Sequence, residues 1–296
     1  MNTPTAVVTG AAGGLGQATA RQLLAAGFHV VAVTRDELSA RTTLRALAAH
    51  AQVPAQAPVQ AGRVHALHAD LMDRAAIRAL AVGLRDTVAQ VDVLVNNAGA
   101  AFSHYAETAD GMERTHALNH LAPFHLTHLL LADGLLAPDA RIINISSDLV
   151  TRGRIEVDAP DVTGVSWRDR FSQIAVYGTA KLTGVLATTA LATRLPTGIH
   201  IYSANPGVVR TAFNSKSGGL LKAASLASGL FAQTPEKAAG LPVRLAAAPT
   251  PMTPNGGFFT RKAAATPPEP ARDAELAARV YEDTARVLGL VPLPAR

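Results

Sequence analysis

The chain has 296 residues, 48% hydrophobic and 17% charged, with a formal net charge of +5. That balance is far from the composition of disordered chains, and its scattered Lys and Arg residues form no cationic run suited to nucleic acid. Without cysteine, the chain cannot form disulfides, use a thiolate nucleophile or ligate metal through sulfur.

From the N-terminus, Thr3-Pro4-Thr5 leads directly into an apolar run, a pattern that predicts no secretory signal. Short apolar segments at residues 6–9, 29–33, 64–69, 91–96, 141–146 and 200–204 read as strands. Longer amphipathic stretches separate them. Leu15, Thr19, Leu23 and Ala26 share one helical face, as do Ile77, Leu80, Ala81, Leu84 and Val88. Residues 53–62, rich in Pro, Ala and Gln, read as a lengthened loop, and 148–172 as a second irregular stretch. Breaks at 249–257 and 267–270 precede a last helix carrying Leu276, Val280, Thr284 and Val287. No membrane span is expected, because even residues 218–231 are interrupted by Lys222, Ser225 and Ser228. The alternation predicts an α/β fold: a doubly wound parallel sheet in three α/β/α layers, forming a single domain over 1–296.

The first strand runs into Thr9-Gly10-Ala11-Ala12-Gly13-Gly14-Leu15-Gly16. Glycines there permit a tight turn, and the following helix N-terminus favours an anion, so the pattern suits a dinucleotide pyrophosphate. The second strand ends in Thr34-Arg35-Asp36, with no carboxylate at Thr34 to hold a ribose hydroxyl. Arg35 can instead pair with a 2′-phosphate, and Asp36 can cap the next helix, which predicts NADP(H) as the preferred cofactor with NAD(H) also accepted.

Tyr177 and Lys181 stand four residues apart on a helical stretch, where an ammonium beside a phenol would lower the phenol pKa and fit it for proton transfer. Other distinctive groups end other strands: Asn96-Asn97-Ala98-Gly99 the fourth, Ser146-Ser147 the fifth, and the run from Asn205 through Pro206, Gly207, Val209 and Thr211 the sixth. All of them should meet on the carboxyl rim of the sheet.

In this order the motifs resemble the short-chain dehydrogenase/reductase family from Thr5 through Thr211, and within it the retinol-dehydrogenase-like branch. The branch cues are Thr34-Arg35, the long interval from Ser147 to Tyr177, Thr234-Pro235-Glu236 opening a late helix, and Gly256-Gly257-Phe258-Phe259 as a short last strand. The resemblance implies an oxidoreductase that interconverts a ketone or aldehyde with an alcohol, on a hydrophobic substrate. It makes Tyr177 the proton donor or acceptor and Lys181 its tuner and a ligand of the nicotinamide ribose. Ser147 would bind the substrate oxygen, and Asn119 would help hold a water in the proton relay. It also places Gly10, Gly14, Leu15 and Gly16 on the dinucleotide, with Thr34 and Arg35 at the 2′ position and Asp70 and Leu71 at the adenine. Asn97, Ala98 and Gly99 would line the cofactor, and Pro206, Gly207, Val209 and Thr211 would lie toward the nicotinamide.

Residues 5–211 are thus expected to form the cofactor and catalytic core, and 212–296 a substrate lid, last strand and C-terminal helix. Residues 215–233, with Leu220, Leu221, Leu226, Leu230 and Phe231 among glycines and serines, suit an apolar lid. Ser146 is read as strand-end structure, and His116 and His120 as packing groups with no metal. Two other functions fit parts of the pattern: a non-catalytic redox-sensing regulator, and a nucleotide-sugar epimerase or dehydratase. The expected protein is cytoplasmic and acts on a small molecule, and a homodimer is left open.

Overall fold

The computed structural model describes residues 3–51, 63–210 and 232–296. Its centre is an eight-stranded sheet in the order β3-β2-β1-β4-β5-β6-β7-β8. The strands are β1 (Thr5–Thr9), β2 (His29–Thr34), β3 (Val64–His68), β4 (Val91–Asn96), β5 (Leu136–Ile145), β6 (His200–Asn205), β7 (Phe258–Thr260) and β8 (Ala264–Ala265). All neighbours pair in parallel except β7 with β8. The order reverses between β1 and β4, which opens a crevice at their carboxyl ends.

Helices cover both faces because the strands alternate their side chains between them. Val7 and Val31 join the core on one face, whereas Ala6, Val8, Val30 and Ala32 join the core on the other. The first face is covered by α3 (Arg74–Thr87), α5 (Ala122–Ala132), α6 (Gln173–Ala192) and α8 (Ala274–Leu288). The second is covered by α1 (Gly14–Ala25), α2 (Glu37–Ala51) and α7 (Pro235–Ala247). A short helix, α4 (Arg114–His116), leads into α5 through a π-helical turn, Ala117–Leu121.

Several ends obey local chemistry. The Asp73 carboxylate caps α3 by accepting from the N–H groups of Ala75 and Ala76, Thr234 caps α7 with Pro235 behind it, and Asp273 caps α8. The predicted faces of α3 and α8 are buried as expected at Ile77, Leu80, Ala81, Leu84, Leu276, Val280 and Thr284. Ala26 departs from prediction: α1 stops at Ala25, Ala26 is exposed, and Leu24 is buried in its stead. β5 starts at Leu136, before the predicted 141, and ends at Ile145, so Ser146 and Ser147 lie just beyond it. α6 begins four residues before Tyr177, at Gln173. By length and composition α6 could cross a membrane, with mean hydropathy 1.3, but 78% of that stretch is buried inside the fold. Its apolar character serves the core, where it packs between the sheet and α8. The predicted loop at 53–62 and all of the predicted lid at 215–233 except its last two residues lie outside the described residues.

Candidate active site

The glycine-rich turn folds tightly against β4. Gly10 has φ +67°, and a Cβ at Gly16 would stand 2.3 Å from the Gly10 carbonyl oxygen, so a side chain at Gly16 is barred by backbone. Asn97 braces the turn from the next strand: its side-chain amide donates to the Thr9 carbonyl at 2.8 Å. The Thr9 hydroxyl accepts from the N–H groups of Asn97 and Ala98, both at 3.0 Å. Asn97 thus acts through its side chain on the turn. Gly14 begins α1 with φ +53°, and Leu15 buries its side chain against Ala238 and Ala239 of α7.

A cleft of about 390 Å³ opens beside this turn, lined by Gly10, Ala12, Thr34, Arg35, Asp70, Leu71, Ala98 and Gly99 among others. Sequence-predicted residues from four separate segments therefore share one cavity. Thr34 is buried, while the Arg35 side chain is 76% exposed at the cleft edge. Asp36 caps α2 as expected, accepting from the Ser39 N–H at 2.9 Å, and that bond holds its carboxyl below the ordinary carboxylate range. Asp70 closes its own turn by accepting from the Met72 N–H.

The second cluster lies at the ends of β5 and β6. Tyr177 and Lys181 are one helical turn apart on α6, both buried, with the Lys181 ammonium 5.7 Å from the centre of the Tyr177 ring. Ser147 is hydrogen-bonded to the Tyr177 side chain, and its hydroxyl also accepts from the Leu149 N–H. Burial raises the Tyr177 phenol well above its ordinary pKa, and the Ser147 bond opposes that rise. The Lys181 ammonium donates to the Ile145 carbonyl at 2.7 Å, which fixes it at the end of β5 beside the tyrosine. Burial brings Lys181 itself down to about 8.

Asn119 sits in the π-helical turn, where the Ala122 N–H reaches back five residues to the Ala117 carbonyl. Its side-chain amide donates to the carbonyls of Ala100 and Thr115 at 2.7 and 2.8 Å. Its Oδ1 faces Gly99: a Cβ there would lie 2.6 Å from that oxygen and 3.6 Å from the Lys181 ammonium. Asn119, Gly99 and Lys181 therefore converge. At the end of β6, Gly207 donates its N–H to Asn205 Oδ1, Gln233 holds the Pro206 carbonyl, and Val209 bridges Gln233. Thr211 lies outside the described residues.

Comparison with known proteins agrees with this geometry. Residues 4–159 match the short chain dehydrogenase family. Human retinol dehydrogenase 13 is 31% identical over 97% of this chain and 85% of its own length. Mouse polyprenol dehydrogenase is 34% identical over 96% of this chain and 83% of its own. Among solved structures, a short-chain dehydrogenase from Sphingobium yanoikuyae in complex with NADPH covers 80% of this chain and 82% of its own, with TM-score 0.58 and 25% identity.

The chain belongs to the short-chain dehydrogenase/reductase family. It is an oxidoreductase acting on CH–OH and C=O groups, of the retinol-dehydrogenase-like kind, and the family's cofactor is NAD(P). This dehydrogenase/reductase fits that group: α1 carries no side-chain cap at its N-terminus, and no acidic residue stands in its first turn beside the cleft. Backbone N–H groups and the helix dipole are thus left to an anion.

The sequence reading missed several supports of the site. Asn205 donates to the Asp148 carboxylate at 2.7 Å and ties the ends of β6 and β5 together. Asn96, Asn144 and Thr188 form a partly buried hydrogen-bonded chain, and Asn144 and Thr188 line a small cavity together with Ser146. Their partners come from different elements, so no local spacing announces them. His116 and His120 are buried: His116 contacts the Glu113 carboxylate, and His120 meets the Thr284 hydroxyl at 2.8 Å. Thr284 gives its own proton to the Val280 carbonyl, so His120 Nε2 is the donor in that pair. Among the described residues no group of three or more His, Asp or Glu could hold a metal ion.

Proposed function

We propose that this dehydrogenase/reductase interconverts a hydrophobic ketone or aldehyde with its alcohol, using NADP(H) and Tyr177 as the acid or base. The observation that carries the reading is the Ser147–Tyr177 hydrogen bond with Lys181 on the adjoining turn. When bound, the dinucleotide supplies a hydride to the carbonyl carbon or accepts one from the carbinol. In reduction, Ser147 holds the substrate oxygen and Tyr177 delivers its phenolic proton to that oxygen, completing the alcohol. The raised phenol keeps this proton at neutral pH, which is the state reduction needs. Lys181, one turn away, offsets negative charge left on the phenol, and Asn119 orients the lysine's surroundings beside Gly99.

Arg35 supports NADP(H), since the end of β2 offers the 2′ position a cation and no carboxylate at Thr34. The NADPH in the Sphingobium structure agrees with that preference. A lipophilic substrate accords with relatives whose names specify retinol and polyprenol. The test is a screen of aliphatic, aromatic and isoprenoid carbonyl compounds by NADPH absorbance, run in parallel on Tyr177→Phe. Turnover in the wild type that vanishes in the variant is expected; equal turnover in both would reject the assigned acid.

A further inference from the structure

We propose that Arg114 is a phosphate-binding residue for the dinucleotide, serving NADH and NADPH alike. This rests on the dinucleotide reading of the cleft and adds a contact that neither the glycine turn nor Arg35 supplies. Arg114 opens α4 and lines the cleft on the wall formed by residues 98–102 and Leu118, while Arg35 lines its outer edge at the end of β2. The lining does not reach Ser147 or Tyr177, so Arg114 faces the cofactor and not the substrate.

Its guanidinium has no anion to satisfy it among the described residues. The neighbouring Glu113 carboxylate is buried and occupied by the Thr115 hydroxyl and by His116, and Glu107 is paired with Arg168. The guanidinium instead lies over the Phe102 ring, 4.1 Å from its centroid, which holds it in one place without neutralising it. The charge balance of the cleft gives the reason. Arg35 and Arg114 line it against Asp36 and Asp70, so removing Arg114 would leave a net negative wall around a ligand that carries two or more negative charges. An arginine fixed on an aromatic ring also loses little freedom when it grips a phosphate.

The test is calorimetric titration of the full chain with adenosine, ADP, NADH and NADPH, comparing wild type with Arg114→Met and Arg114→Lys. Arg114→Met should weaken ADP, NADH and NADPH by about tenfold each, the scale of one charge-assisted hydrogen bond. Adenosine should bind within about twofold of wild type, since it offers no charge to lose. Arg114→Lys should recover part of the loss. Equal losses for adenosine and ADP would assign Arg114 to packing, a loss confined to NADPH would assign it to the 2′-phosphate, and no loss would remove it from the site; each overturns the proposal. A wild-type protein that binds neither ADP nor NADPH would instead overturn the dinucleotide reading of the cleft.

Discussion

Gly178 of α6 lies backbone to backbone against Gly153: a Cβ at Gly178 would come 2.9 Å from the Gly153 nitrogen and 2.5 Å from the Leu149 carbonyl oxygen. The reciprocal Cβ at Gly153 would stand 2.7 Å from the Gly178 carbonyl oxygen. This contact presses α6 onto the 3-10 turn Asp148–Arg152, and Ser147 at the head of that turn thereby meets Tyr177, the residue before Gly178.

Gly178→Ala should therefore separate the two hydroxyls as well as strain the fold. A cost of about 1–3 kcal/mol in urea unfolding is expected, as for an overpacked core. Turnover should fall further than cofactor binding. Unchanged stability and turnover would show that turn and helix can part freely.

Tyr177→Phe should preserve NADPH affinity, since it removes one hydroxyl and keeps the ring, but reduce kcat by about a hundredfold or more. Lys181→Met should harm binding and turnover together. Single-turnover kinetics with separately measured cofactor affinities distinguish the two patterns. A Tyr177→Phe protein with near-normal kcat would show that another group moves the proton.

Arg35→Leu should weaken NADPH by about tenfold and leave NADH almost untouched, because only a 2′-phosphate needs that charge. The loss should shrink as salt is added, given how exposed the side chain is. Fluorescence titration with both cofactors measures it, and equal losses would refute the assignment to the 2′ position.

Lys181 gives stability a definite pH dependence. Its folded pKa of about 8 lies below the ordinary 10.5, so across that window the unfolded chain binds the extra proton. The contribution is complete above 10.5 and is lost as pH falls through 8, where the ammonium must be buried charged. Wild type minus Lys181→Met, measured by urea unfolding across the window, should rise with pH. A flat difference would mean that the ammonium is hydrated in the folded state.

Much of the fold was legible in the sequence because its signals are local. The continuous apolar runs of β1 and β2, helical spacing on α3, and the turn at Gly10 to Gly16 depend on neighbours a few residues away. The order of Asn119, Ser147, Tyr177 and Lys181 is likewise a property of the chain, and it sufficed to identify the family. The tertiary structure alone decided what distant segments do to one another. It extended β5 back to Leu136 by pairing that residue with Val91, and it added β8 as an antiparallel edge on β7. It also made Asn97 a brace for Thr9 and turned Lys181 toward the Ile145 carbonyl. Arg114 stood in the sequence as an ordinary helix-start residue, and only folding set it over Phe102 in the wall of the cleft. Each of these contacts joins groups with no fixed sequence separation, so periodicity and spacing carry no trace of them.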